Sequence, residues 1–176
     1  PRLLSSAASD VYKRQGSEEI TLTDTTVSAT ALRNIYLDGS TVRNSGTIDA
    51  SSVHTISGSG TTISIANTVY ASGRYTGLGS ENITITDQGA SGAGNGVSVS
   101  DLNTLNGYTT GNVNAGTITF LEGSISNLNT AYAATSALGN GISGLANETV
   151  TITDSSSIDA SALNLSLIHI SEPTRR

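Results

Sequence analysis

The chain repeats itself, and that constrains its fold more than any other feature. Glu18-Glu19-Ile20-Thr21-Leu22-Thr23-Asp24 returns as Glu81-Asn82-Ile83-Thr84-Ile85-Thr86-Asp87 and again as Glu148-Thr149-Val150-Thr151-Ile152-Thr153-Asp154. Other landmarks recur in the same order: Leu37-Asp38-Gly39 with Leu105-Asn106-Gly107, Asn67-Thr68-Val69-Tyr70-Ala71 with Asn129-Thr130-Ala131-Tyr132-Ala133, and Gly77-Leu78 with Gly144-Leu145. A tandem repeat does not close one core around itself. Each unit buries its apolar face on the next, so the copies stack. The landmarks divide the chain into a first repeat over residues 16–78, a second over 79–145 and the start of a third over 146–164.

Inside the first copy a shorter, evenly spaced echo, [V/I]-x-A-[S/T], occurs at Val27-Ser28-Ala29-Thr30, Ile48-Asp49-Ala50-Ser51 and Val69-Tyr70-Ala71-Ser72; Ile158-Asp159-Ala160-Ser161 resumes it in the third. Three coils of that length per repeat predict a mainly β, elongated parallel β-solenoid with short helical turns, and an α/β leucine-rich-repeat-like solenoid is the alternative. Short runs near Val42, Ile63 and Ile83 alternate apolar with hydroxyl residues and predict a second strand per coil. Ala50, Val53, Ile56 and Gly58, like Ala115, Ile118, Leu121 and Gly123, have a spacing of three that suits a short helix or a turn-rich coil. Val53 and Ile118 are matched inward positions. Ser98 with Asp101 could open a helix, residues 126–134 read as helix, and strand and turn are expected elsewhere. Gly89 to Gly96 reads as an excursion between coils.

Both ends are set aside before the fold is argued. Residues 5–15 resemble an in-frame translation of a transposase-type sequencing adapter, codon for codon, and residues 165–175 resemble its partner from the opposite end. The chain therefore reads as an environmental sequencing fragment, with adapter-derived tails at 1–15 and 165–176 around a natural segment, 16–164. The leading tail is expected to stay extended and lightly packed, and Leu165 to Ile170 to add a strand to an open edge if ordered. Between the tails, Arg33, Arg43 and Arg74 stand against twelve carboxylates, a net charge of −9. Such a segment does not neutralise phosphates, which argues against nucleic acid as a partner. No run of 18 apolar residues is present, so no membrane insertion is expected. Zero Cys excludes disulfides and thiolate metal sites. One Phe, no Trp and no Met make a thin composition for a compact enzyme core.

Val97-Ser98-Val99-Ser100-Asp101-Leu102-Asn103-Thr104-Leu105-Asn106-Gly107-Tyr108-Thr109-Thr110-Gly111, with Asn129 to Ala133 and Gly141-Ile142-Ser143-Gly144-Leu145-Ala146-Asn147-Glu148, resembles repeats of giant cell-surface or secreted proteins of marine bacteria. The resemblance covers nearly all of Gly16 to Asn164. It implies a structural or adhesive array outside the cell and carries over no catalytic residue. The first copy departs from the pattern at Arg33-Asn34-Ile35-Tyr36, where two extra residues precede Leu37.

Candidate chemistry is sparse. Asp24, Asp87 and Asp154 recur at one repeat position and are candidate calcium ligands. Three coils at about 4.8 Å each would hold neighbours roughly 14 Å apart, too far to share an ion, so strand-end turn capping is the stronger reading. Thr-x-Thr at 21/23, 84/86 and 151/153 lacks the contiguous rungs of an ice-binding ladder. Asp49 and Asp159 lie too far apart for paired-carboxylate glycan cleavage. His54, the lone natural histidine, reads as a surface residue, and the sequons at Asn82 and Asn147 are weak. Tyr36, Tyr70, Tyr75, Tyr108 and Tyr132 pack at coil corners or stack on sugars, with Tyr70 and Tyr132 equivalent. The expectation is a non-enzymatic segment with no catalytic, cofactor or metal residues and no cofactor. Its partners are neighbouring repeats of the same parent, with surface glycans as the alternative.

Overall fold

In chain order a computed structural model of the protein, which describes residues 2–4, 17, 19–38, 41–42, 44–58, 61–134 and 140–155, alternates short strands with four helices. The first half comprises β1 (Arg2–Leu4), β2 (Ile20–Leu22), β3 (Thr26–Ser28), α1 (Ala29–Tyr36), β4 (Leu37–Asp38), β5 (Thr41–Val42), β6 (Ile48–Asp49), β7 (Thr55–Ser57), α2 (Thr62–Ala71) and β8 (Tyr75–Thr76). The second comprises β9 (Asn82–Thr84), β10 (Val97–Ser98), α3 (Val99–Tyr108), β11 (Asn112–Asn114), β12 (Phe120–Gly123), α4 (Ile125–Ala134), β13 (Gly141–Ser143) and β14 (Thr149–Ile152).

Three parallel sheets result: a first, β1-β2-β6-β8; a central one, β3-β7-β9-β11-β13; and a last, β10-β12-β14. β4 and β5 form a separate antiparallel pair. The central strands are triplets whose middle residues, Val27, Ile56, Ile83, Val113 and Ile142, lie in one row; all but Val27 are fully buried. The helices pack in chain order, α1 on α2, α2 on α3, α3 on α4. Their buried residues recur every three, as Ile63, Ala66 and Val69 in α2, Val99, Leu102 and Leu105 in α3, and Ile125, Leu128 and Ala131 in α4.

The protein is therefore α/β, and the mainly β, elongated solenoid is overturned; the α/β alternative fits better. Successive turns are also longer than the short echo. The echo steps from Val27 to Ile48 to Val69, whereas strand pairing joins Ile20 to Ile48, Ile48 to Tyr75 and Ile83 to Val113, a wider step each time. The echo has no common structural meaning: Val27 lies in a strand leading into a helix, Ile48 in a first-sheet strand, and Val69 inside α2. Of the three expected second strands, Ile83 lies in β9, but Ile63 is helical and Val42 is an exposed edge of the antiparallel pair. Nothing in this architecture marks a cell-surface protein.

Helices form here despite the Ser, Thr and Asn content. In α2, α3 and α4 a threonine hydroxyl donates to the carbonyl of a serine four residues earlier, Thr68 to Ser64, Thr104 to Ser100 and Thr130 to Ser126, at 2.8, 2.9 and 3.0 Å. The hydroxyl is thereby satisfied locally without competing for the helical amides. Ser28 and Ser98 cap α1 and α3 by accepting from the amides of Ala31 and Asp101. Packing of the apolar stripe supplies the rest of the helical stability.

The long repeat has a clear structural counterpart: two ββα turns followed by one additional strand. β6, β7, α2 and β8 in the first copy answer to β11, β12, α4 and β13 in the second, and β9, which opens the second, answers to β14, which opens the third. Yet each equivalent strand has moved to the neighbouring sheet, β6 and β8 lying in the first and β11 and β13 in the central one. The additional strand causes the shift. Local chemistry is conserved across it: the carboxylate of Asp49 accepts from the Ser51 amide, and the side-chain oxygen of Asn114 from the Gly116 amide, both at 3.0 Å. Gly77 and Gly144 then lie directly over these turns with φ of 82° and 87°. A Cβ on either would come within 2.6 Å of Ser51 or Gly116 backbone, so no other residue fits without displacement.

Within residues 1–15, Arg2–Leu4 pairs in parallel with β2, so strand addition occurs at the leading end. Leu165 to Ile170 and the 158–161 motif, Asp159 included, lie outside the described residues.

Candidate functional site

The recurring polar residues converge on the seam between one turn and the next. The second and third Glu-x5-Asp strands each hold the helix of the preceding turn at both ends. At the helix start, the carboxylate of Asp87 accepts from the Ile63 amide at 3.2 Å, and that of Asp154 from the Ile125 amide at 2.8 Å. α2 has no side-chain cap of its own from Thr61, so the cap comes from the next turn. It satisfies an amide that the helix leaves over and places negative charge at the positive end of the helix dipole. Seven residues further along each helix, Tyr70 donates to Glu81 and Tyr132 to Glu148. The second carboxylate oxygen of Glu81 accepts from the amides of Gly79 and Ser80, and that of Glu148 from Ala146 and Asn147. Seven helical residues rise about 10.5 Å and six extended residues span about 20 Å; the long tyrosine side chain makes up much of the difference. Burial, and then the Glu148 carboxylate, hold the Tyr132 hydroxyl well above the ordinary tyrosine range.

The recurring Asp thus caps a helix in both copies where its partner is described, rather than a turn at its own strand end. Among the described residues no group of three or more His, Asp or Glu is placed to hold a metal. The Thr-x-Thr pairs lie on the segments of β2, β9 and β14, in three different sheets, and form no common ladder. Thr86 instead meets the hydroxyl of buried Thr62 at 2.9 Å. Asp49 is held below the usual carboxylate range by the Ser51 amide and then its hydroxyl. His54 is exposed, its Nδ1 2.7 Å from the Ser52 carbonyl, and the side-chain oxygen of Asn82 accepts from the Asn112 amide.

Tyr36 is buried and Tyr70, Tyr75 and Tyr132 are partly buried, whereas Tyr108 is exposed. Tyr70 stacks on Tyr108 with centroids 5.1 Å apart, and Tyr36 meets Tyr75 edge-on at 5.9 Å. The hydroxyl of Tyr75 donates to the Leu32 carbonyl, and burial raises the pKa of both Tyr75 and Tyr36. Gly89 to Gly96 is the loop between β9 and β10, held by the Glu122 carboxylate through the amides of Gly94 and Gly96 at 2.8 and 3.3 Å. Beside it lies an open cleft of about 600 Å³, lined among others by Thr61, Ile63, Asp87, Ser98 and Asp101. It is the space between the starts of α2 and α3. The Tyr–Glu bond escaped the sequence reading, although both residues recur and their joint recurrence with Asp was the available signal.

Compared with known proteins, the chain matches no family model, no curated protein and no solved structure. Among the described residues no helix is long and apolar enough to cross a membrane.

Proposed function

We propose that the chain is a non-catalytic structural or adhesive repeat segment of a large extracellular surface protein, with neighbouring repeats of its parent as partners. One observation carries the reading: the acidic residues that recur, Glu81, Asp87, Glu148 and Asp154, are bonded to the adjacent turn or the approach to it. Sequence resemblance supports the extracellular setting. A spacer predicts that an appended repeat raises the thermal midpoint.

A glycan-binding module is the second reading, and one feature favours it. The outward positions of the central sheet, Thr26 and Ser28, Thr55 and Ser57, Asn82 and Thr84, Asn112 and Asn114, Gly141 and Ser143, make five consecutive uncharged rungs about 4.8 Å apart. A glycan array probed with the full chain separates the two. Silence supports the spacer, whereas reproducible binding lost in Thr55→Lys and Thr84→Lys supports the module on this face.

A further inference from the structure

We propose that Asp24, which ends the first copy of the motif, is a third helix cap, and that its occupant is the last helix of an upstream copy of this same repeat. The proposal rests on the array reading above and names the surface that joins one repeat to the one before it.

The three Glu-x5-Asp motifs have identical spacing, and the two whose helices are described work the same way. Asp87 and Glu81 hold α2, and Asp154 and Glu148 hold α4, in each case the helix of the preceding turn. Among the described residues no helix precedes β2, and an upstream copy would supply one. β2 also has a seat for the strand that leads into such a helix. In the two known clamps that strand pairs in parallel with the motif strand: β7 with β9, Ile56 against Ile83, and β12 with β14, Leu121 against Val150. β1 occupies the corresponding edge of β2 in parallel, Leu3 against Thr21, so this edge accepts a strand in the required direction.

The chemistry of the occupant follows from the known clamps. It is a short strand with a buried aliphatic at its centre, a glycine two residues later, as at Gly58 and Gly123, and then a helix with an uncapped first turn and a tyrosine seven residues beyond the capped amide. Residues 120–132 of this chain have that pattern, so an upstream copy supplies it.

The test compares the full chain with one in which residues 79–147 replace residues 1–17, so that Glu18 follows Asn147 as Glu148 does now. In the present chain Asp24→Ala should move the thermal midpoint by no more than about 1–2 °C, as for a surface change. In the extended chain it should lower the midpoint by about 2–6 °C, the size expected of a lost helix cap, and as much as Asp87→Ala does there. Hydrogen exchange at the amide that Ile125 contributes in the added copy should be slow and should accelerate in Asp24→Ala. The cap is refuted if Asp24→Ala is as silent in the extended chain as in the present one while Asp87→Ala destabilises both. An extended chain no more stable than the present one would instead sink the array reading itself.

Discussion

The clamps on α2 and α4 are built from the same residue types and make the same bonds, but they differ in depth. Glu81 is 1 % exposed, whereas Glu148 is only half-buried. The following turn adds cover at Glu81. The hydroxyl of Thr109 donates to the Glu81 carbonyl at 2.7 Å, and Gly111 lies so close that a Cβ there would stand 2.3 Å from the same oxygen. Tyr108 at the end of α3 covers the ring of Tyr70. A carboxylate removed from water this far is held by three donors, Tyr70, Gly79 and Ser80, as burial of a polar group requires. At Glu81 the turn that follows thus adds to the cover given by the helix the clamp holds.

The largest effect should be equal in the two repeats and so tests their equivalence. Val53 and Ile118 are 3 % and 5 % exposed, and each closes a tight turn by donating its amide to Ala50 or Ala115. Aspartate at either site places an unpaired charge between turns, and each variant should lose more than about 4 kcal/mol in denaturant unfolding. A near-native result for one of them would show that the two turns are not equivalent.

The next effect should be unequal. Glu81→Ala strands a tyrosine hydroxyl and two amides away from water and should cost about 2–3 kcal/mol, whereas water can reach part of the Glu148 site and Glu148→Ala should cost about 1 kcal/mol. Equal losses in urea titrations would mean that depth does not set the strength of the clamp.

The smallest effect concerns alkaline pH. Tyr75 in the first half and Tyr132 in the second both have a folded pKa raised by burial. A raised tyrosine pKa contributes stability that is fully present below the unfolded value of about 10 and is lost as pH rises towards the folded value. Thermal midpoints should therefore fall above about pH 10. Tyr75→Phe and Tyr132→Phe should each flatten that fall, and a profile unchanged in both would contradict the assignment.

The long repeat was legible because it is written in landmarks with fixed roles: Tyr70 and Tyr132, Glu81 and Glu148, Asp87 and Asp154 all occupy matched positions in space. The length of a turn was not. The short echo uses Val, Ile, Ala, Ser and Thr, residues that suit a capped helix start at Ser28, a strand end at Asp49 and a helix interior at Val69 alike. Helices were hidden by the low intrinsic propensity of Ser, Thr and Asn; residues 126–134 stood out, and the Ser-x-x-x-Thr spacing at Ser64 and Ser100 carried the same information. The clamps were hidden because their partners are remote in sequence, Ile63 from Asp87 by 24 residues and Ile125 from Asp154 by 29. Only the turn-on-turn stacking brings them together.

The extra strand that ends each repeat works like the pitch of a screw thread. β8 and β13 carry the chain on by one sheet, so the motif strand visits the first, central and last sheets as β2, β9 and β14. A receptor that reads this motif on one copy therefore finds the next copy on another flank of the protein. Two identical receptors fixed side by side on a plane would not engage successive copies together; a partner that counts repeats must wrap around them.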